Sequence, residues 1–421
     1  MPFTNLLIVV AIGLAVPLLL GLAPRVRVPA AVFEIAVGII IGPSVLGIAV
    51  RDTTVTVMAV LGLAFLLFLG GMEIEVDRLR GARLRGALLA FGLSLGLAIV
   101  VGGGLAAAGL VDDPILVAVI LLATSLGVVV PVLKDAGEAG TPLGQQVIAG
   151  ASIADFGAII LLTLLFGSGV SAGPGASVDG GRVAILVVFA GAAVLLARLI
   201  IRAERLARLA RLVAALGDTT AQIRVRATVV LLVGLVALAQ VLGLELILGA
   251  FVAGIVVAAV DRDELVGHPQ FRPKLEAIGF GVVIPVFFVS SGMTLDVGSL
   301  LADPSDLVLV PLFLGALLAV RGLPAVLLRP SVGGRGALAA GLLQATSLPF
   351  IVAATQIGIA MGTLEPSVAS ALVAAGLASV LLFPAGALAL LERRQAASTV
   401  SPGTALDRTP DPSIGSTPEM M

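Results

Sequence analysis

The sequence contains no cysteine, tryptophan or tyrosine, has a single histidine, and only 12% of its 421 residues are charged. Without cysteine, the chain can form neither a disulfide bond nor a thiolate metal site. The net charge of −1 provides none of the excess positive charge that nucleic-acid-binding proteins use. Because tryptophan and tyrosine commonly mark membrane interfaces, any membrane boundary in this chain has to be located from charged residues instead.

Hydrophobic residues make up 59% of the chain, and the mean hydropathy is +1.18. A soluble domain cannot bury that much apolar surface, so a lipid bilayer is the expected solvent for most of it. A membrane-spanning helix needs about 20 predominantly apolar residues, and the chain is long enough for many. The first apolar stretch, 3–23, lacks the preceding basic residue of a cleavable signal peptide, so we expect a true span. The sequence therefore predicts an all-α polytopic membrane protein.

Apolar stretches between charged or Gly/Pro-rich breaks predict thirteen spanning helices. They cover residues 4–23, 30–50, 54–72, 86–110, 114–133, 144–168, 182–201, 223–243, 245–260, 276–293, 306–328, 336–361 and 366–391. The split between the eighth and ninth helices depends only on the short Gly243-Leu244-Glu245 segment.

The basic residues predict how these helices run. All but three of the 25 lysines and arginines follow odd-numbered helices; Arg51 and Arg182 follow even-numbered ones, and Arg321 lies within a span. Positive charge stays on the cytoplasmic side, which predicts an inner-membrane protein with its N-terminus outside and its C-terminus in the cytoplasm. Residues 392–421, rich in Ser, Thr and Pro, are predicted to form a disordered cytoplasmic tail with no soluble regulatory domain.

Three segments of the chain recur in order at nearly constant offsets. Residues 123–126 (Ala-Thr-Ser-Leu) recur at 345–348, residues 71–76 resemble 292–297, and residues 37–39 resemble 253–255, with offsets of 222, 221 and 216. Each pair lies seven helices apart, and an odd separation reverses the direction through the membrane. The sequence therefore predicts an inverted-topology repeat, an architecture of secondary transporters that places the binding site near the bilayer midplane.

Helices 5 and 12 also contain helix breakers close to their shared tetrapeptide: Gly127 and Pro131 in one, and Pro349 in the other. A break frees backbone groups that lipid cannot satisfy, so it has to face protein, water or an ion. We expect two interrupted helices that cross each other. Two ordinary proline kinks supported by Ser and Thr hydroxyls are the alternative.

Three ionisable residues lie well inside predicted spans: Asp155, Arg321 and Glu34. A charge at the bilayer centre costs at least about 2.5–3.5 kcal/mol, so each should face the protein interior or water. Asp155 is the candidate site for a proton and a monovalent cation in turn, with Arg321 as its charge partner. A buried Asp held permanently by a helix end or by Arg321 is the alternative, and Arg321 itself could be purely structural. Glu34, near the start of its helix, is expected to have a supporting or gating role.

Polar side chains near the expected crossing are few, which suits an ion better than an organic solute. They are Thr124, Ser125, Ser152, Gln344, Thr346 and Ser347.

Four segments resemble, in order, the cation:proton antiporter-2 family, the Kef-type antiporters. They are residues 28–47, 65–73, 124–133 and 285–293, the last containing a Pro-x-Phe-Phe block. The resemblance implies a homodimer in which a mobile core moves past a dimerisation and gate domain in an elevator-like motion. It places the core in 86–168 and 306–391, the gate in 1–72 and 223–293, and a linker helix in 182–201.

The resemblance also implies that Asp155 matches the essential aspartate of the family and that Arg321 lies near a basic residue that is commonly lysine. This chain departs from the pattern at Ala154, where the family usually has a polar residue, and at Arg321 itself. Because arginine effectively never deprotonates, nothing obvious carries a second proton. We therefore expect electroneutral exchange of Na⁺ or K⁺ for H⁺, with no resident cofactor.

Two other functions fit the same sequence. A sodium-coupled solute symporter of related fold would need a roomier and more polar cavity, and a channel or membrane sensor would not exchange protons. No enzyme is expected, because the sequence contains no nucleophile–base pair, phosphate-binding loop or metal cluster.

Overall fold

The structure is a computed structural model that describes residues 2–22, 29–73, 82–166, 180–204, 222–261, 271–295, 298 and 304–399. The described elements are helices, which we number in chain order. They are α1 Pro2–Leu22, α2 Ala30–Ile41, α3 Thr53–Met72, α4 Ala82–Ala107, α5 Pro114–Leu122, α6 Leu126–Asp135, α7 Pro142–Phe166, α8 Gly180–Glu204, α9 Ile223–Val241, α10 Leu246–Asp261, α11 Phe271–Ile278, α12 Ile284–Thr294, α13 Pro304–Leu317, α14 Arg329–Ala345, α15 Pro349–Ala360 and α16 Pro366–Thr399.

Ten helical stretches of the described chain are long and apolar enough to cross a membrane. One of them, Leu307–Ala360, is 54 residues long, which exceeds the length of a single crossing. Two shorter apolar helices, Ala30–Ile41 and Leu246–Asp261, add to these. The expected all-α, multi-pass membrane architecture is confirmed, and helical residues lie within every predicted range. The count of thirteen crossings stays a prediction.

Several predicted boundaries differ from the structure. The second helix ends at Ile41, not near 50, because Pro43 disfavours helical geometry at Gly42 and removes a backbone donor. The chain then turns through Gly47, whose φ of +60° lies in the left-handed region. The last helix continues to Thr399, past the predicted start of the tail at 392, and residues 400–421 lie outside the described residues.

Both predicted interruptions are present. An extended link over Ala123–Ser125 separates α5 from α6, and a second link over Thr346–Leu348 separates α14 from α15. Pro349 is the first residue of α15, a position where its missing N–H costs nothing. Gly127 and Pro131 lie within α6, so the expectation that they make the first break was wrong. The break lies at the recurring Ala-Thr-Ser instead, where polar groups of the two links meet.

Two π-helical turns lie between consecutive α-helices. Gly279–Val283 joins α11 to α12, and Leu318–Gly322 follows α13 before a 3-10 turn, Leu323–Leu328, leads into α14. A π turn inserts one extra residue and reorients the side chains that follow it. The second of these turns contains Arg321.

The described helices pack in two groups. The first contains α1–α3 and α9–α12, and the second contains α4–α7 and α13–α16, while α8 packs on α10. Contacts between the groups include those of α10 with α7. Within each group the helix faces meet through buried apolar side chains, and large apolar residues on the outer faces, including Leu18 and Val241, remain exposed.

In the first group, α2 and α12 approach each other at a pair of glycines. A methyl group on Gly38 would overlap the carbonyl oxygen of Val289, and one on Gly292 would overlap the carbonyl oxygen of Ile35. Backbones this close exclude any side chain at either position. Small residues that permit such an approach are typical of helix contacts in membranes.

The same contact occurs between α3 and α10. A methyl group on Gly71 would overlap the carbonyl oxygen of Phe251, and one on Gly254 would overlap that of Phe68. The two contacts correspond through the sequence offsets. Gly38 lies 216 positions before Gly254, and Gly292 lies 221 positions after Gly71, so each glycine of the first contact matches a glycine of the second. The repeat seen in the sequence therefore has a counterpart in the way these helices pack.

Candidate ion-binding site

Asp155 lies in the middle of α7 and faces the link between α5 and α6. Its Oδ1 atom accepts a hydrogen bond from the backbone N–H of Thr124 at 2.9 Å. Thr124 is itself buried, whereas Asp155 retains partial exposure. A backbone donor freed by the helix break is thus satisfied by the carboxylate, as a low-dielectric interior requires.

The two interrupted helices cross at their links. The N–H of Ser125 donates to the carbonyl oxygen of Thr346 at 2.8 Å, and the hydroxyl of Thr124 donates to the carbonyl oxygen of Gln344 at 2.6 Å. Carbonyls at the C-terminal end of a helix have no partner within that helix. The link of the first helix therefore satisfies the open end of the second, which explains why the breaks occur together.

Arg321 is buried, with 1% of its surface exposed, and contacts three different elements. Its Nε donates to the Thr124 hydroxyl at 2.9 Å, its Nη1 to the hydroxyl of Ser94 at 3.1 Å, and its Nη2 to the carbonyl oxygen of Gly150 at 3.4 Å. Between the described Arg321 and Asp155 side chains, no ion pair within 4.0 Å is found. The guanidinium and the carboxylate are both hydrogen-bonded to Thr124, and the role of Arg321 as the charge partner of Asp155 stays a prediction.

The other predicted lining residues divide between the crossing and its surroundings. Among the described residues, Ser125 Oγ, Gln344 Oε1 and Ser347 Oγ are buried without a hydrogen bond. Ser152 on α7 donates to its own helix at the Ile148 carbonyl, 2.9 Å away. The unbonded oxygens of Ser125, Gln344 and Ser347 lie close to the crossing and are suitable ligands for a hard cation.

Glu34 is buried on α2, in the other packing group. Of the described residues, it is not among those that line the cavity beside Asp155. The structure therefore does not bring Glu34 to the site.

A cavity of about 60 Å³, enough for a few water molecules, lies beside the crossing. It is lined by Leu66, Leu67, Leu69, Gly70, Glu73, Thr124, Ser125, Leu126, Gly127, Asp155, Ile159, Phe251, Phe280, Pro349 and Phe350. Residues of both packing groups contribute. Among the described residues of this lining, Asp155 and Glu73 are the two that can ionise.

Sequence reasoning missed three polar residues that the structure brings into play: Ser94, Glu73 and Ser379. Ser94 holds the guanidinium of Arg321, and the Ser379 hydroxyl accepts from the N–H of Ser347 in the second link, 3.1 Å away. A lone hydroxyl in a largely apolar helix is the signal that could have identified Ser94. Glu73 appeared in the sequence analysis as part of a repeated segment and of a segment that resembles the family, with no role of its own.

Comparison with known proteins gives matches over most of the chain. A family model described as "Sodium/hydrogen exchanger, transmembrane" matches residues 10–392. The putative Na(+)/H(+) antiporter YjbQ of Bacillus subtilis is 30% identical over 388 residues, which cover 88% of this chain and 60% of YjbQ. The probable Na(+)/H(+) antiporter 3 of Methanocaldococcus jannaschii is 25% identical over 86% of this chain and 91% of that protein.

Among solved structures, the sodium proton antiporter MjNhaP1 from Methanocaldococcus jannaschii superposes with a TM-score of 0.65 at 16% identity. The match covers 93% of this chain and 99% of MjNhaP1, and it shows a shared fold. The expected resemblance to cation:proton antiporters is confirmed, and the relatives are named as transporters, not enzymes.

Proposed function

Because the chain belongs to the sodium/hydrogen exchanger family, we propose that it exchanges a monovalent cation, Na⁺ or K⁺, for protons across a membrane. The chain spans only about 60% of YjbQ, so the activity is argued from the site itself. The observation that carries the proposal is a carboxylate, Asp155, placed beside the crossing of two interrupted helices in a small cavity with room for a few water molecules.

Asp155 provides a chemical basis for exchange. Its Oδ1 is held by the Thr124 amide, and the side chain lines the cavity, where a proton or a cation could bind. Hard cations prefer oxygen ligands, and spare buried oxygens of Ser125, Gln344 and Ser347 lie around the crossing. Because a proton and a cation neutralise the same negative charge, each excludes the other from the site. The cation is cargo, and no resident cofactor is needed.

Arg321 has a positioning role in this proposal. Its guanidinium is fixed by Thr124, Ser94 and Gly150, so it holds the crossing together without occupying the carboxylate. Since arginine stays protonated throughout, Asp155 is the group that can exchange a proton among the described residues of the two links and their hydrogen-bond partners. One cation for one proton makes the exchange electroneutral.

Alternating access fits the division into two packing groups. We place the mobile core in the group that contains the crossing, residues 86–168 and 306–391, and the gate in 1–72 and 223–293, with 182–201 as linker. The matching glycine contacts of α2–α12 and α3–α10 support an inverted repeat. An elevator-like movement of the core, in a homodimer with its N-terminus outside the inner membrane, completes the proposal.

The direct test uses purified protein in proteoliposomes with a fluorescent pH indicator. We expect Na⁺ or K⁺ to dissipate an imposed pH gradient, at a rate that does not change when a membrane voltage is applied. Asp155→Asn removes the shared charge and should abolish the response. Glu365→Gln, an exposed carboxylate just before α16, is the matched control and should leave it intact. Full exchange by Asp155→Asn would refute the proposal.

The same assay separates the alternatives. A channel would give cation flux without proton exchange, and a symporter would require an added solute. Family membership favours exchange over both.

A further inference from the structure

A large cavity lies within the second packing group, between the turns that follow α13 and the helices α14 and α16. Its volume is about 520 Å³, within the range of about 300–1,000 Å³ that is typical of pockets for small organic molecules. In its wall, Leu323, Val326 and Leu338 are 55%, 59% and 63% exposed. All three lie within predicted spans, where lipid surrounds the protein. The opening of the cavity therefore faces the acyl chains of the bilayer.

One end of this cavity carries a positive charge. Arg329 is the charged side chain among the described residues of the wall, and it directly follows the predicted span 306–328. Its Nε atom lies 3.9 Å from the position that a methyl group on Gly334 would take, so the side chain lies along the rim. No ion pair or hydrogen bond joins its guanidinium to another residue that the structure describes. A guanidinium without a partner is available for a phosphate group.

The position of the cavity relative to the membrane indicates which phosphate this is. Arg329 and Leu390 both line the cavity, and both lie at the predicted cytoplasmic ends of their spans. Anionic lipids of the cytoplasmic leaflet are attracted by basic residues close to the surface. A phospholipid combines an apolar chain, which suits the wall, with a phosphate, which suits Arg329.

We propose that an anionic phospholipid binds here, with an acyl chain in the cavity and its phosphate on Arg329. The cavity extends to the π turn that contains Arg321, since Leu318 and Gly322 of that turn line it. The same turn packs backbone against backbone on α14, where a methyl group on Gly341 would lie 2.8 Å from the carbonyl oxygen of Gly322. An acyl chain adds packing contacts to this turn and so stabilises it. The inference concerns lipid binding and does not depend on the exchange activity.

The test measures the Tm of the purified full chain in detergent with added phosphatidylglycerol, which is anionic, or phosphatidylcholine, which is zwitterionic, with identical acyl chains. Because a ligand stabilises the state that binds it, phosphatidylglycerol should raise the Tm about 2–4 °C more than phosphatidylcholine. Arg329→Gln removes the charge and should abolish this difference. Arg329→Lys keeps the charge and should retain most of it.

Gly334→Phe tests the cavity separately from the charge. An added Cβ atom there would make an ordinary contact with the Nε atom of Arg329 at 3.9 Å, and the left-handed φ of this segment belongs to Gly333. A larger residue therefore fits at position 334. Its ring should occupy space that the acyl chain needs and reduce the effect of phosphatidylglycerol, although Arg329 is still present.

Arg335→Gln is the matched control. Arg335 is also exposed and lies six residues further on, but it is not among the described residues that line the cavity. This variant should keep the full effect of phosphatidylglycerol. Native mass spectrometry gives a second measurement, in which the parent protein should retain a bound phosphatidylglycerol that Arg329→Gln loses.

Equal losses of the effect in Arg329→Gln and Arg335→Gln would overturn the inference, because a general attraction of lipid to surface charge would explain both. Equal stabilisation by inorganic phosphate alone would also overturn it, since the site would then bind a free anion. If one of Arg329→Gln and Gly334→Phe does not fold, an undiminished effect of phosphatidylglycerol in the other places the lipid elsewhere and overturns it too.

Discussion

Thr124 is hydrogen-bonded to both charged side chains of the site, Asp155 and Arg321. Its amide donates to Asp155, its hydroxyl accepts from Arg321, and the same hydroxyl donates to the carbonyl of Gln344. One residue thus connects α7, the π turn and both interrupted helices. Because Arg321 bonds to the hydroxyl and Asp155 to the amide, the two charged side chains share Thr124 without a direct hydrogen bond between them.

Arg321→Lys tests this arrangement. An ammonium group cannot reproduce a planar guanidinium that reaches Thr124, Ser94 and Gly150 together, so contacts to a buried charge are lost. We expect a loss of about 1.5–3 kcal/mol in stability, seen as a lower Tm in detergent, and a reduced maximal exchange rate. Arg329→Lys, at an exposed position, should change neither quantity. Parental stability and rate in Arg321→Lys would contradict the account.

At the scale of the helices, both breaks could be predicted from the recurring Ala-Thr-Ser-Leu, but not their position relative to the prolines. The first break is set by hydrogen bonds to the second link, a contact between residues more than two hundred positions apart that local breakers do not encode. The end of α2 at Ile41 was missed for the opposite reason, because apolar residues continue beyond it without helical structure.

The arrangement of the site also depends on contacts between residues that are distant in sequence, which the sequence alone does not show. Burial cost identified Asp155 and Arg321 as interior charges, and the structure places both at the crossing. Sequence could not show that Thr124 separates them, because that depends on where the π turn directs the Arg321 side chain. Glu73 was not predicted as a site residue, because a charged residue at the end of a spanning helix is typical of the membrane interface. Only the shared cavity connects it with Asp155.

At the scale of the whole molecule, one side-chain hydrogen bond joins the two packing groups and would have to break if they moved apart. Gln356 on α15 donates to the hydroxyl of Ser291 on α12 at 3.1 Å, a side-chain bond between the second group and the first. An elevator movement would have to break it. A bond between Ser331 on α14 and Gln146 on α7, also 3.1 Å long, lies within the second group and would survive.

Cross-linking these two pairs tests relative movement. The chain lacks cysteine, so Ser291→Cys with Gln356→Cys, and Ser331→Cys with Gln146→Cys, introduce the only thiols. With a short reducible thiol cross-linker, we expect exchange to stop in the first variant and to recover on reduction, while the second stays active. Exchange that continues with the first pair fully cross-linked would contradict a moving core.

The central claim is that one carboxylate binds the cation and the proton by turns, and the pH dependence of cation affinity tests it most directly. Initial exchange rates in proteoliposomes would be measured over a range of Na⁺ or K⁺ concentrations at successive pH values on the cation-binding side. The account predicts that the KM for the cation rises as the proton concentration rises, while the maximal rate at saturating cation stays constant. A KM that does not change with pH, with a maximal rate that falls instead, would contradict it.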